Sequence, residues 1–259
     1  MHFRLPKPLH GWRAFAGEVA IIVLGVLIAL GAEQVVETIH WRQRLHDSDR
    51  ALELELGESV GQAIVRVREN SCVEQRLDWL AVVVDQAAAS KHLPPIGRVP
   101  PPIYFSWPSG AWQSVVSGDI ANHQDREKLQ ALSGAYDFIA DINQLQLREI
   151  DVWTNVYQLV GPGRDFSDTD ASSARAAISE ARSVNRMISR ASARTVQLLR
   201  IYDIRYDSGS VRLYTDDKKW ERAGRCTPLG AAEAHYGEAP GKGDIERVLA
   251  HPLIKPKNS

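Results

Sequence analysis

Hydrophobic and polar positions divide the chain into one unbroken apolar block, three long stretches of helical period and an unpatterned end. The block is residues 14–36, AFAGEVAIIVLGVLIALGAEQVV, where Glu18 is the one charge before Glu33. Its uncharged core, residues 19–32, is short for a bilayer span and suits a signal-peptide core or a buried helix. The apolar pattern continues through Val35, Val36 and Ile39, and a helix over residues 15–36 covers about 33 Å, enough for a hydrocarbon core of about 30 Å. The spacing therefore predicts a transmembrane helix over 14–36, with Glu18 and Glu33 near the two headgroup layers. A cleaved signal peptide is the main competitor. It would use Arg4, Lys7 and Arg13 as its basic region and Ala29-Leu30-Gly31 as its cleavage site, but Glu18 is out of place in such a peptide.

Past the block the period is helical. Leu52, Leu56, Ala63, Val67, Val73, Leu77, Leu80 and Val84 predict a helix to about residue 90, with gaps at Ser59 and Asn70 and a kink or break at Gly57 and Gly61. Residues 92–110, HLPPIGRVPPPIYFSWPSG, cannot be helix interior and read as an extended linker laid over the surface. A second helix runs from about Asn122 to Val160 on a stripe of Leu129, Leu132, Tyr136, Ile139, Ile150, Trp153 and Tyr157, interrupted by Asn143 and Gln146. That interruption is either a slow rotation of the stripe or a buried polar pair that fixes register. After Gly161-Pro162-Gly163, Asp168, Thr169 and Asp170 offer N-caps. A third helix, about 171–206, then repeats Ala177, Ala181, Val184, Ile188, Ala191, Thr195, Leu198 and Tyr202. Val211, Leu213 and Thr215 alternate as a short hairpin would. Residues 224–259 read as an irregular tail.

The fold class expected is all-α. One N-terminal transmembrane helix continues into an elongated helical domain over 37–206, with the proline-rich linker at 92–110 and a hairpin and irregular tail over 207–259. Net charge −1, with 24% charged and 44% hydrophobic residues, excludes a disordered chain or one that coats nucleic acid. The basic tail, residues 1–13, carries no acid, so the simpler orientation leaves it in the cytoplasm and exports the body to the periplasm. Export would let the two cysteines, Cys72 and Cys226, form a disulfide; two unpaired thiols are the alternative.

Candidate chemistry is sparse. The eight histidines show no metal-ligand spacing, and no cofactor is expected. Residues 237–243, GEAPGKG, fall short of a phosphate loop, and Asp165, Asp168 and Asp170 lack the glycine and distal glutamate of a calcium loop. Two features remain. Glu18, Ile22, Gly25, Ala29, Ala32 and Val36 share one face of the apolar helix, and Gly25 and Ala29 would admit a close second helix. An acid facing a small-residue groove also suggests the stator subunits of ion motors, although their peptidoglycan-binding domain has no counterpart here. Arg175, Arg182, Arg186, Arg190 and Arg194 line one flank of the third helix. They could engage an anionic partner or lipid phosphates, or simply pair with first-helix acids such as Glu53, Glu55 and Glu58.

The run from Gly17 to Leu30, GEVAIIVLGVLIAL, followed by Trp41, resembles the N-terminal signature of an uncharacterised bacterial family of single-pass membrane proteins. Residues 111–118, AWQSVVSG, resemble a mid-chain stretch of the same family. The resemblance implies a bacterial inner-membrane protein with one span, and no mechanism. The function expected is interaction or scaffolding, through the lipid bilayer and a membrane-protein partner or further copies of this chain. A periplasmic sensory bundle for a small ligand, working with a partner, is the alternative. No nucleophile–base pair is visible, so an enzyme is not expected.

Overall fold

The structure, a computed structural model, describes residues 12–97 and 99–216. The chain divides into two units, residues 1–49 and residues 50–259. In the first, every described residue belongs to the opening part of helix α1 (Trp12–Ser90). The described side chains from Phe15 to His40 are all exposed, and they cover the apolar block from Phe15 onward. This is the one helix among the described residues that is long and apolar enough to cross a membrane.

The second unit is all-α around the remainder of α1. After β1 (His92–Leu93) and an irregular strap over 94–109 come α2 (Gly110–Ser117), α3 (Ile120–His123), α4 (Arg126–Val156), a short 3-10 turn (Tyr157–Leu159), β2 (Arg164–Asp165), α5 (Asp168–Ile201) and α6 (Ser208–Thr215). The two strands pair antiparallel, His92 opposite Asp165 and Leu93 opposite Arg164. An isolated bridge between Ile96 and Gly161 extends that clamp. The strand pairing thus joins the start of the strap to the α4–α5 connection. The alternating Val211, Leu213 and Thr215, read as a hairpin from sequence, lie instead on α6, capped by Asp207 accepting from the Ser210 N–H at 2.6 Å.

Local signals explain the ends. Asp125 caps α4 by accepting from the Lys128 N–H. Ser167 and Asp170 form a reciprocal capping box at the start of α5, so the cap is Ser167 and Asp170 completes it from within the helix. Alpha-five ends at Ile201, and Asp203, with a φ of 51°, turns the chain so that the Ile204 N–H reaches the Leu199 carbonyl at 2.8 Å. The core runs through α1, α4 and α5: Leu56, Leu77, Leu80, Leu132, Ile142, Trp153, Ile188 and Leu199 are all buried.

Alpha-one shows no break at its two mid-helix glycines. A Cβ on Gly57 would stand 2.5 Å from the Asp207 carbonyl oxygen, and one on Gly61 would stand 2.9 Å from the Tyr214 ring. These glycines let the α5–α6 connection and α6 lie against the α1 backbone. The strap, in turn, does more than cross the surface, because Leu93, Ile96, Val99, Phe105 and Trp107 are buried. It is an extended segment pinned into the core by apolar side chains.

Candidate functional site

Each residue singled out from sequence has a definite setting or lies outside the described residues. Glu18, Gly25 and Ala29 are exposed, and a Cβ built on Gly25 meets nothing within 4 Å. Cys72 lies half-buried on α1 and is not a free thiol. Cys226 and the irregular tail lie outside the described residues.

The arginine row divides in two. Arg175 pairs with Asp85 at 2.7 Å, Arg182 with Asp78 at 2.7 Å, and Arg186 with Glu74 at 3.1 Å. All three partners are on α1, although further along it than Glu53, Glu55 and Glu58. Arg190 and Arg194 make no ion pair among the described residues. They line a shallow groove of about 450 Å³ between α4 and α5, with Phe138, Leu145 and Ala191 as its apolar surface and Asp141 and Gln144 beside them. A second hollow, of about 480 Å³, lies at the α4–α5 turn and is more polar, with Asn155, Arg164, Ser173 and Glu180 among its lining.

Sequence reading missed a buried polar ladder under the strap. The Arg66 guanidinium donates to both oxygens of Glu149, at 2.7 and 2.9 Å, to Glu69 at 2.9 Å and to the Ile103 carbonyl at 3.0 Å. Glu69 accepts the Ile103 N–H at 3.1 Å. Arg76 donates to the Pro100 carbonyl, Gln146 to the Phe105 carbonyl and Gln62 to the Ser106 carbonyl. Glu55 accepts the Ala111 and Trp112 N–H groups, so α1 supplies the cap that the first turn of α2 lacks. The Tyr136 hydroxyl donates to the same Glu55 at 2.6 Å, and its ring stacks on Trp112 with centroids 5.0 Å apart.

Arg66 and Glu69 are each 1% exposed in their side chains, which decides the electrostatics here. Burial pushes the Glu69 and Glu149 carboxyls above the ordinary carboxylate range, and Arg66 opposes the shift at both. Burial, followed by the Glu55 carboxylate, raises the Tyr136 hydroxyl. Arg66 and Glu69 reach the strap's backbone at Ile103, while Glu149 and Tyr136 brace Arg66 and Glu55 from α4, so the work of the ladder is to hold the strap and the start of α2.

Of the two residues that interrupted the α4 stripe, Gln146 is buried and bonded to the strap while Asn143 is half-buried. The buried polar partner of Gln146 along α4 is Glu149, which displaces Ile150 to an exposed position. Among the described residues, no cluster of three histidine, cysteine or acidic side chains is arranged to hold a metal ion. No family model matches the chain, and neither a curated protein nor a solved structure is significantly similar to it.

Proposed function

We propose that this chain is a membrane-anchored helical interaction or scaffold protein, with one N-terminal span and a bundle facing the periplasm. The observation that carries the reading is the exposed apolar length of α1, whose most apolar window has a mean hydropathy of 2.4 with none of it buried. Trp12 and Trp41 bracket about 43 Å of helix, close to the full thickness of a bilayer with its headgroups, where tryptophan concentrates. The run from Gly17 to Leu30 and its resemblance to bacterial single-pass proteins support the same reading. A core helix of a soluble protein would be covered. A signal sequence would share the length and composition, and the experiment separates the two.

A reporter enzyme that needs oxidation, fused after Ser259, is active if the body is exported. N-terminal sequencing of the membrane fraction then reads from the start of the chain. A mature protein beginning near Ala32 removes the anchor. Partner contact through the span is tested at its small-residue face: Gly25→Leu should abolish cross-linked oligomer or partner in membranes, and Ala20→Leu should not. Equal effects of the two changes leave the face as ordinary lipid-facing surface. One observation favours the second reading, a sensory bundle working with a partner: the hollow between α4 and α5 has the volume of a small-ligand site.

A further inference from the structure

We propose that Arg190 and Arg194 hold the acidic head of an amphiphilic anion, a carboxylate or phosphate on an apolar body, in the groove between α4 and α5. The inference deepens the ligand-binding reading and is independent of whether the N-terminal segment is retained as an anchor.

The argument starts from charge along α5. Arginines at 182, 186, 190 and 194 stand four apart, so each repels the next unless an anion intervenes. Alpha-one supplies that anion at three places in the row, through Asp85 to Arg175, Asp78 to Arg182 and Glu74 to Arg186. It supplies none at Arg190 and Arg194. Those two remain a like-charged pair one helical turn apart, with Cβ atoms about 5–6 Å from each other. That separation lets two guanidiniums converge on a single carboxylate or phosphate, whose planar or tetrahedral oxygens their forked donors match.

The surface beside them selects for more than charge. Phe138, Leu145 and Ala191 line the same groove, and its lining is largely apolar. A bare inorganic anion would leave that surface in water, whereas an anion carrying a hydrocarbon or aromatic body covers it. Asp141, the acid of the groove, makes no ion pair with either arginine. It leaves the lining with a net single positive charge, which suits one head group and disfavours polyanions such as nucleic acid. Gln144 adds a neutral donor at the rim.

The test uses the full chain in phosphatidylcholine nanodiscs, titrated calorimetrically with octyl phosphate, inorganic phosphate and octanol. Octyl phosphate should bind at least tenfold more tightly than inorganic phosphate, and octanol should show no saturable binding to the protein. Arg190→Gln and Arg194→Gln should each weaken octyl phosphate at least tenfold, as should Gln144→Glu, which adds a repelling acid at an exposed position. Arg175→Gln, on the paired part of the row, should leave it unchanged. Phosphatidylglycerol nanodiscs identify the source. If the apparent affinity falls in the unmodified chain but not in the Arg190→Gln/Arg194→Gln chain, the occupant is a lipid head drawn from the bilayer. An unchanged affinity assigns a free amphiphile, and both results support the groove. Octyl phosphate binding that is absent, matched by inorganic phosphate, or insensitive to both arginine substitutions in chains of unchanged helix content overturns the proposal.

Discussion

Replacing Arg66 by alanine removes the centre of the buried ladder. Four hydrogen bonds disappear together, two to Glu149, one to Glu69 and one to the Ile103 carbonyl. Two carboxyls are left in a site where their partner was the main opposing influence on the cost of burial. Breaking a buried pair by removing one partner costs about 3–5 kcal/mol, because the remaining charge is uncompensated. For a domain of this size each kcal/mol lowers the melting temperature by about 2–4 °C, so Arg66→Ala should lower it by about 6–20 °C.

The loss should depend on pH with a definite sign. Glu69 and Glu149 have folded-state pKa values above their ordinary value of 4.5, so the folded state holds their protons more tightly than the unfolded state does. The stability they contribute is fully present below that ordinary value and is lost as pH rises through the raised one. Removing Arg66 raises both carboxyls further, so the deficit of the variant should widen from pH 5 to pH 8 and narrow towards pH 4.5. Urea unfolding of the full chain in nanodiscs, followed by circular dichroism at each pH, measures this. Arg66→Met combined with Glu69→Gln and Glu149→Gln removes the charges together and should recover more than half of the loss. A cost below about 1 kcal/mol for Arg66→Ala, with no dependence on pH, would refute a desolvated ladder.

Three further outcomes are expected. Gly57→Ala and Gly61→Ala should each destabilise by about 1–3 kcal/mol despite a gain in helix propensity of about 1 kcal/mol, because the added methyl meets the Asp207 carbonyl or the Tyr214 ring; Gly134→Ala, with its nearest contact at 3.5 Å, should be neutral or stabilising by the same urea assay. Asp170 and Asp207 have pKa values held below the ordinary range by hydrogen bonds from Ser167 and Ser210, so their capping contribution is present above that range and lost as pH falls through the depressed values; Asp207→Asn should flatten that part of the acid limb of the stability curve. Cys72 and Cys226 should resist thiol labelling without reductant, and the loop they close is long enough for a bond to stabilise by about 4–5 kcal/mol on the chain-entropy model; labelling of both thiols in the unreduced protein would exclude the pairing.

The helices were legible in the chain because their stripes are long. On α5, Ala177, Ala181, Val184, Ile188 and Thr195 are buried as the repeat requires, and only its last member, Tyr202, is exposed, where the helix has already ended. On α4 the stripe holds at Leu132, Tyr136, Ile139 and Trp153 and fails at Ile150, where Glu149 faces inward instead. Local pattern cannot show that substitution, because what draws Glu149 inward is a guanidinium distant in sequence, on α1. The arginine row was legible as a row. Its division into a paired part and an open part was not, since that depends on where Glu74, Asp78 and Asp85 meet α5. Helix α6 was misread because alternation over a few residues does not distinguish a strand from a short helix resting on two glycines.

One signal in the sequence would have revealed the ladder. Glu55, Gln62, Arg66, Glu69 and Arg76 stand seven, four, three and seven apart, a polar stripe of helical period inside an apolar helix. Such a stripe needs a counterpart rich in backbone groups without partners of their own, and the proline-rich strap is that counterpart. Each proline removes an N–H and leaves its carbonyl, so a strap with Pro94, Pro95, Pro100, Pro101, Pro102 and Pro108 has more acceptors than donors. The side chains reaching it follow that imbalance: Arg76, Arg66, Gln146 and Gln62 donate to the carbonyls of Pro100, Ile103, Phe105 and Ser106. Carboxylates occur where an N–H is free to be met, Glu69 at Ile103 and Glu55 at the first turn of α2, where the prolines have ended and helix donors begin. From Glu55 to Arg76 the stripe on α1 meets positions 111, 106, 103 and 100 in descending order, so the polar side chains of the helix track the strap's backbone, which is why neither segment explains its composition alone.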